Sequence, residues 1–306
     1  MQKNGVMIED TFAEAFGMRG CRLTVTGPSD HWALTAARAI TGFATSVIGC
    51  GIEADVEGPS PATPDDRPGY DCLFFANSWD GLANALLNRV GQALMTSVGS
   101  ACFCGALPEI APDSEDISPF DIGGKLRFFG DGYQCSKVIG NTRYWRVPVM
   151  DGEFLVEETF LMIRAVGGGN FLLLGPSHAA TLAAAEAAVA AIRQLRGVAL
   201  PFPGGMVRSG SQVGSRYKFL KASTNISYCP TIRGRLSGSA LQEGDNAVLE
   251  IVIDGLTEAL VAQAMRVGIE AACACGGIRK ITAGNYGGKL GKFHFHLHQL
   301  LAGDER

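Results

Sequence analysis

A single carboxylate stands in the middle of an apolar run near the end of the chain. Glu250 interrupts the segment 247–253, Ala-Val-Leu-Glu-Ile-Val-Ile, which has the composition of a buried strand. A carboxylate among Leu, Ile and Val loses hydration, which raises its pKa and can keep it protonated near neutral pH. Such a group suits general acid–base chemistry, so Glu250 is the candidate catalytic residue. The alternative is an edge-strand glutamate that points to water or pairs with an arginine.

Three histidines alternate with other residues close to the C-terminus. His294, His296 and His298 would lie on one face of a strand, because strand side chains alternate. A catalytic zinc site needs about three protein ligands with an open position. No HExxH motif accompanies the three histidines, so a structural strand is favoured and no metal is expected. A metal-dependent amide hydrolase that uses them is the alternative.

The segment 284–289, Gly-Asn-Tyr-Gly-Gly-Lys, is similar to a phosphate-binding loop. It has one residue too few between its glycines and lacks Ser or Thr after Lys289, so nucleotide hydrolysis is not predicted. Backbone amides of such a turn could still hold a carboxylate or carbonyl oxygen, and Lys289 is a candidate ligand-binding residue. Because Gly-Gly-Lys-Leu occurs at both 123–126 and 287–290, a structural turn shared by the two segments is the favoured explanation.

A long basic segment precedes Glu250. No Asp or Glu occurs between Ala187 and Gln242, whereas eight arginines and lysines do, among many Gly, Ser and Pro residues. A basic loop in a chain with a net charge of -4 predicts a docking surface for an anionic ligand. The alternative is a solvated face that offsets acidic neighbours across a subunit contact.

Length and composition limit the class of protein. A chain of 306 residues, 47% hydrophobic and 18% charged, is globular and long enough for two domains, with apolar surface for oligomer contacts. The acidic balance argues against a nucleic-acid binder. Nine cysteines without framework spacing favour a reducing cytoplasm over a disulfide scaffold. No run is long and apolar enough for a membrane span, and no signal peptide is recognisable.

The elements that must position these residues form a pattern that occurs twice. Four short segments return in the same order, which indicates an internal duplication. Aligned in this way, the first copy has Ala76 where the second has Glu250, so the fold itself does not require an acid there. The matching segments are 8–12 with 156–160, 27–29 with 175–177, 80–82 with 254–256, and 123–126 with 287–290.

The first copy reads as strand, helix, strand, strand, helix, strand, and the second copy has the same number of strands and helices, with two strands at its end. In the first copy these are Arg22–Thr26, a helix capped by Ser29 through Ile40, Thr45–Ile48, Cys72–Ala76, a helix from Asp80 to Met95, and Ile122–Phe129. In the second they are Phe171–Leu174, Ser177–Arg196, Val248–Ile253, Leu256–Cys275, Arg279–Ala283 and Phe293–Leu297.

This order predicts an α+β fold with internal duplication into two ferredoxin-like (split βαβ) lobes, 1–148 and 149–306. The second lobe carries the basic Gly/Ser/Pro-rich insert 200–242. A doubly wound parallel sheet would need strict alternation of strands and helices, which neither copy has.

Segments along nearly the whole chain resemble the formylmethanofuran:tetrahydromethanopterin formyltransferase family. One of them is Ala-Gly-Asn-Tyr-Gly-Gly-Lys-Leu-Gly, and runs of this length and composition do not arise by chance. The matching segments are Ile8–Phe16, Thr41–Val47, Phe128–Gln134, Pro201–Gly205, Ala222–Asn225, Tyr228–Thr231, Ala264–Cys273 and Ala283–Gly291.

The resemblance implies a cytoplasmic homotetramer of two-lobed subunits. It implies formyl transfer between the amine of methanofuran and a ring nitrogen of tetrahydromethanopterin, with both as co-substrates and with no metal or prosthetic group. The family's catalytic glutamate falls at Glu250, within Glu-Ile-Val-Ile. The insert would hold the carboxylate-rich tail of methanofuran through Arg208, Arg216, Lys218 and Lys221, and Asn225 and Tyr228 would contact polar headgroups.

Low acidity and the number of cysteines distinguish the chain from archaeal members. They are similar to a bacterial version, which serves formaldehyde oxidation together with formylmethanofuran hydrolase subunits. In that setting the formyl group would move from the pterin to methanofuran, through a tetrahedral intermediate without a covalent enzyme adduct. A non-catalytic scaffold subunit of such a complex is the remaining alternative.

Overall fold

The computed structural model describes residues 1–108 and 114–302, so parts of both predicted lobes (109–113 and 303–306) lie outside it. The strands up to residue 149 are β1 (Gln2–Lys3), β2 (Val6–Ile8), β3 (Phe12–Thr26), β4 (Thr45–Ser46), β5 (Ile52–Pro59), β6 (Gly69–Ala76), β7 (Ala101–Cys104), β8 (Ile117–Phe120), β9 (Cys135–Ile139) and β10 (Thr142–Val149). Those after it are β11 (Gly152–Glu157), β12 (Phe160–Gly175), β13 (Val198–Ala199), β14 (Gln212–Val213), β15 (Ala222–Ser223), β16 (Ala247–Gly255), β17 (Lys280–Thr282) and β18 (Phe293–His296). The α-helices are α1 (Asp30–Thr41), α2 (Val47–Cys50), α3 (Trp79–Arg89), α4 (Ile122–Leu126), α5 (His178–Ile192), α6 (Glu258–Cys275) and α7 (Leu297–Ala302).

Two long antiparallel strands join the halves of the molecule. β3 and β12 pair from Phe16 opposite Gly167 to Gly20 opposite Ile163. Around them the first half has the strand order β7-β3-β6-β5, and the second half has the order β17-β12-β16-β13, with every neighbouring pair antiparallel. Helices α1 and α3 bury their apolar sides against the first set, and α5 and α6 against the second. The fold therefore mixes helices with one large, mostly antiparallel sheet.

Each half also lends a strand to the other. β2, near the N-terminus, pairs in parallel with β17 of the second half, with Ile8 opposite Ile281. β11 pairs in parallel with β7 of the first half, with Val156 opposite Cys102. The repeated segments begin within these strands, at Ile8 of β2 and Val156 of β11.

The helix starts follow local capping chemistry. Ser29 and Ser177 accept hydrogen bonds from N–H groups of the first turns of α1 and α5, and the cap at Ser29 was predicted. The other two long helices begin elsewhere than predicted. The hydroxyls of Ser78 and Thr257 cap α3 and α6, so Asp80 lies inside the first turn and the second helix begins at Glu258 instead of Leu256.

Two predicted strands of the first half are wrong. The segment 122–129 is helical, because the N–H groups of Gly123 and Gly124 both donate to the Glu158 carbonyl. The strand that takes its place in the sheet is β7, which the sequence analysis missed. The predicted strand Thr45–Ile48 is extended only at β4, after which Ser46 caps the short helix α2.

No helix of the described residues combines the length and apolar content needed to cross a membrane. The most apolar stretch of the chain, 171–192, is divided between the end of β12 and α5.

Three consecutive glycines create a bulge in β12. The register between β12 and β16 shifts between Val166 and Gly169, and Gly168 adopts a φ of 87°. A Cβ atom at Gly167 would overlap the Met18 sulfur and lie 2.7 Å from Asp254 Oδ1. The bulge thus depends on a backbone without side chains, packed between the two halves.

Replacing Gly167 by Ala should lower the free energy of unfolding by about 1–3 kcal/mol, because the added methyl group must displace Met18 or Asp254. Urea denaturation would measure the loss. Gly17→Ala is the matched control: Gly17 pairs with Val166 across the same strands, and its Cβ would meet no atom within 4 Å. Equal stability of the two variants would contradict the packing argument.

Candidate active site

A cleft of about 1230 Å³ opens where the halves meet. Its lining comes from β3, β12, β16, the insert and the segment 282–293, so distant parts of the sequence contribute to one space. Glu250, Asn225 and Tyr228 are brought together in it, as are five residues that the sequence analysis did not select: Glu53, Arg19, Arg164, Tyr286 and Lys292.

Glu250 lies in the interior of the sheet and not at an edge. On one side it is opposite Leu172 of β12. On the other side its N–H donates to the Val207 carbonyl at 3.0 Å, and the Val207 N–H donates to its carbonyl at 2.7 Å. The first part of the insert therefore pairs with β16 at this point. Glu250 is not on a free sheet edge, so the alternative of an edge-strand glutamate does not hold.

The Glu250 side chain faces the cleft without a charged partner. Among the described residues, no arginine or lysine forms an ion pair with it. Burial raises the pKa of Glu250 to about 7. The carboxyl can therefore both give and accept a proton near neutral pH.

The hydroxyl of Tyr286 lies in the electric field of this site. Burial raises the pKa of Tyr286, and the charges of Glu250 and Glu14 raise it further. Thr282 lies across β12 from Glu250, because both are opposite Leu172. Asn225, Tyr228, Thr282 and Tyr286 thus add hydrogen-bonding side chains to the wall of the same cleft.

The predicted basic residues do not reach this space. All of them are exposed, and none lines the main cleft; Arg216 instead borders a smaller cavity of about 360 Å³ inside the insert, beside Arg235. Their long side chains stay in water, where their charge is hydrated, while shorter polar residues of the insert turn inward. The residues outside the cleft are Arg208, Arg216, Lys218, Lys221 and Lys289.

The glycine turn binds a carboxylate, but one of the protein itself. Glu14 is 1% exposed, and its two oxygens accept hydrogen bonds from the N–H groups of Tyr286, Gly288, Leu290 and Gly291 at 2.6 to 2.8 Å. Loss of hydration acts to raise the pKa of Glu14, but the four donors lower it more, and the pKa falls to about 2. Glu14 is therefore an anion throughout the physiological range.

Two sequence interpretations of this turn need correction. The amides that Glu14 occupies are not free to stabilise a substrate oxyanion. The tetrapeptide Gly-Gly-Lys-Leu is a helical turn at 123–126 but an open turn at 287–290, where Gly287 and Gly288 have φ of 72° and 71°. The carboxylate explains the difference. Glu14 accepts hydrogen bonds from the N–H groups of the turn at 287–290. For the turn at 123–126, the residue in the position equivalent to Glu14 is Met162.

A second pair of carboxyl groups joins the halves under the cleft. Glu53 of β5 accepts from the Val47 N–H at 3.0 Å, and Asp254 of β16 accepts from the Gly168 N–H at 3.0 Å. Burial raises the pKa of both, and the neighbouring Glu53 charge raises that of Asp254 further. The Asp254 Oδ2 atom is buried and has no hydrogen-bond partner among the described residues, and Glu53 lines the cleft.

The C-terminal histidines do not share one strand face. His294 and His296 belong to β18, but His298 lies in α7, where its Nε2 is 2.9 Å from the Ile8 carbonyl oxygen. Within 1–108 and 114–302, no three His, Cys, Asp or Glu side chains are arranged to hold a metal ion. The hydrolase alternative gains no support from this geometry.

A charged residue within an apolar run is the sequence signal that could have identified Glu14 and Asp254, two buried acids that were not predicted. Glu14 stands in Phe-Ala-Glu-Ala-Phe and Asp254 ends the same apolar run that contains Glu250, so each is a charge in a buried strand. Arg19 and Arg164 gave no such signal, because an arginine in a strand is equally compatible with an exposed face.

Comparison with known proteins agrees with the motifs. The family model described as formylmethanofuran-tetrahydromethanopterin formyltransferase matches residues 1–149, and that of its proximal lobe matches 152–300. The chain is 56% identical to the formyltransferase of that name from Methylococcus capsulatus, over 98% of this chain and 99% of the relative. It is 50% identical to one subunit of the formyltransferase/hydrolase complex from Methylorubrum extorquens, over 97% and 96% of the two chains.

Two solved structures superpose over the whole length. The formyltransferase from Methanosarcina barkeri has a TM-score of 0.90 at 44% identity and covers 98% of this chain and 100% of its own. A chain of the formyltransferase/hydrolase complex from Methylorubrum extorquens, in complex with methylofuran, has a TM-score of 0.92 at 49% identity and covers 98% of each chain.

Glu14→Gln should lower the free energy of unfolding at pH 7 by about 2–4 kcal/mol, because an amide can accept at one atom only and leaves buried N–H donors unsatisfied. The pKa of Glu14 is lowered, so its contribution is present above the unfolded value of 4.5 and is lost as the pH falls through about 2. Urea titrations from pH 7 to pH 2.5 should show the two proteins converging in acid.

Glu270→Gln is the control for this series, because Glu270 forms an exposed ion pair with Lys3 at 2.8 Å. Its removal should change stability by less than about 1 kcal/mol. A Glu14→Gln protein as stable as this control at pH 7 would contradict the role of the buried carboxylate.

Proposed function

Since the chain belongs to the family of formylmethanofuran–tetrahydromethanopterin formyltransferases, it transfers a formyl group between methanofuran and tetrahydromethanopterin, and we propose that the transfer takes place beside Glu250. The observation that carries this proposal is the Glu250 carboxyl, which has no ion-pair partner among the described residues and has a pKa of about 7 in the cleft between the halves. Both co-substrates would bind there together.

The chemistry requires one proton to change nitrogen atoms. The accepting nitrogen attacks the formyl carbon and forms the new C–N bond, which gives a tetrahedral intermediate with an oxyanion. The bond to the donor nitrogen then breaks, and the accepting nitrogen loses a proton while the donor nitrogen gains one. Protonated Glu250 gives a proton to the leaving nitrogen and regains one from the attacking nitrogen, so no covalent adduct with the enzyme is needed.

Stabilisation of the oxyanion is assigned to side chains rather than to the glycine turn. The turn amides already donate to Glu14, so they offer no free donors at those positions. Asn225 and Tyr228 line the cleft with Glu250 and carry an amide and a hydroxyl that can donate to an oxyanion or to a polar headgroup.

The exposed basic residues of the insert are proposed to act on the part of methanofuran that extends beyond the cleft. Arg208, Arg216, Lys218, Lys221 and, on the glycine turn, Lys289 are exposed next to segments whose inner residues line the cleft. An anionic tail that leaves the cleft would meet this positive field, whose strength falls with ionic strength.

We propose that each half is a ferredoxin-like lobe that arose by duplication. The strand orders β7-β3-β6-β5 and β17-β12-β16-β13 have the same succession, with the first strand of the unit second in the sheet. The parallel exchange of β2 and β11 at equivalent positions of the repeat supports the same origin.

Assembly with further subunits is proposed from one exposed face. The edge strand β9 is exposed along its length, and large apolar side chains surround it, with Phe128 67%, Phe129 69% and Tyr133 83% exposed. An exposed apolar edge favours a protein partner. We assign it to a homotetramer contact or to hydrolase subunits, since one relative is a subunit of a formyltransferase/hydrolase complex.

The direction of transfer and the compartment are also proposals. A hydrolase in the same complex consumes a formyl amide, so we propose transfer from tetrahydromethanopterin to methanofuran, which would make formaldehyde oxidation the setting. All nine cysteines are free thiols, which supports the cytoplasm. No metal or prosthetic group is assigned to the reaction.

An assay with the isolated chain and both co-substrates tests the function directly. Glu250→Gln should lower kcat at least about 100-fold, the usual scale for a general acid, and change the affinity for either co-substrate only a few-fold. Because the proton is lost as the pH rises through about 7, the kcat of the parent should fall in that range, and the variant should lack this titration. Near-normal turnover of the variant would remove Glu250 from the mechanism.

Replacing Lys218 and Lys221 together by Gln should weaken methanofuran binding several-fold at low salt, because two charges of the insert are lost, and high salt should reduce the difference. Isothermal titration at two ionic strengths measures both effects. Arg38 and Arg266, replaced in the same way, are the control, since both are exposed and line neither cavity. Salt-independent binding in the parent would make the insert a structural feature.

A further inference from the structure

Two arginines face each other across the central strands of the cleft. Arg19 of β3 and Arg164 of β12 are register partners in an antiparallel pair, so their side chains leave the same face of the sheet, and both line the cleft. Like charges directly opposite each other destabilise a sheet unless a counter-ion lies between or above them. Neither residue belongs to the basic insert.

The two guanidinium groups are only weakly engaged by the protein. Arg19 forms no ion pair with the described residues; it lies 4.7 Å above the Trp79 ring and donates from Nη1 to the Met18 carbonyl. Its Nε is buried and has no hydrogen-bond partner in the part of the chain that the structure describes. Arg164 pairs with Asp116 at 2.7 Å, but both side chains are about half exposed, at 54% and 52%. An ion pair that is this exposed contributes little and can be exchanged for another anion.

We propose that Arg19 and Arg164 form an anion-binding subsite of the cleft, which takes a carboxylate or phosphate group carried by one of the two co-substrates. A planar guanidinium recognises either group with two parallel hydrogen bonds. The Trp79 ring fixes the plane of Arg19, and Asn77 and Ser46, which also line the cleft, offer further donors. The bound anion would neutralise the repulsion between the two arginines.

The distance from Glu250 defines the ligand. Arg164 lies eight residues from Leu172, the residue opposite Glu250, and a strand rises about 3.3 Å per residue, so the two sites are roughly 25 Å apart along β12. A co-substrate that reacts at Glu250 must therefore be extended and carry its anionic group on a long tail. This inference rests on the proposed function, because it requires the reaction to occur at Glu250.

Binding of each co-substrate alone separates the possibilities. Arg164→Gln, whose side chain is exposed, keeps the fold, and Arg19→Gln tests the inner residue. We expect at least a tenfold rise in Kd for one co-substrate and less than a twofold change for the same compound with its anionic groups removed. The co-substrate that is affected shows whether the anion belongs to methanofuran or to tetrahydromethanopterin.

Two further experiments distinguish a role in anion binding from a purely structural role of these arginines. Asp116→Asn should tighten binding of the same co-substrate two- to fivefold, because it frees Arg164. Inorganic phosphate and glutarate, used as probes, should inhibit the parent more strongly than Arg164→Gln. Arg146→Gln is the control, since Arg146 forms an exposed ion pair with Glu153 at 2.6 Å and lies outside the cleft.

Unchanged Kd values for both co-substrates in Arg19→Gln and Arg164→Gln, with formyl transfer intact in the parent, would overturn the subsite and leave the function standing. If the parent itself transfers no formyl group with both co-substrates present, the proposed function is what fails.

Discussion

The structure depends on a buried anion that forms no ion pair with any of the residues in 1–108 and 114–302. Glu14 enters the protein on the first long strand and is neutralised by four backbone N–H groups of a turn more than 270 residues later. Backbone dipoles suit this task because they are fixed in place and cannot be exchanged for solvent. These hydrogen bonds connect the first long strand to the turn near the end of the chain. Two of the donor residues, Tyr286 and Leu290, line the cleft, and Glu250 faces the same space.

Three kinds of carboxyl group surround the cleft, and their surroundings give each a different charge. Glu14 meets four donors and has a pKa of about 2, Glu250 accepts no recorded hydrogen bond from the described residues and has a pKa of about 7, and burial with the neighbouring Glu53 charge raises the pKa of Asp254. Amino-acid type alone does not decide the charge of a site. The balance between lost hydration and available donors does. Negative charge is therefore fixed on Glu14 in the wall of the cleft, while Glu250 at the proposed reaction centre can be uncharged.

Patterns that depend on nearby residues could be read from the sequence, and those that depend on distant partners could not. The serine caps at Ser29 and Ser177 act within one turn, and the run around Glu250 reports its own burial. The tetrapeptide Gly-Gly-Lys-Leu shows the opposite case, because a distant glutamate decides between helix and turn. β7 was missed since it contains only four residues, and the sequence did not show that the basic residues of the insert lie outside the cleft, because charge alone does not indicate the direction of a side chain.

The exchange of β2 and β11 between the halves affects how such a chain can be made and divided. A cut near residue 150 would leave β17 without its parallel neighbour in one fragment and β7 without its own in the other. An unpaired strand edge can pair with another chain, so neither fragment would be an independently stable domain. During synthesis the ribosome releases β2 long before β17 exists, and the N-terminal segment must wait for the last quarter of the polypeptide before it can take its place.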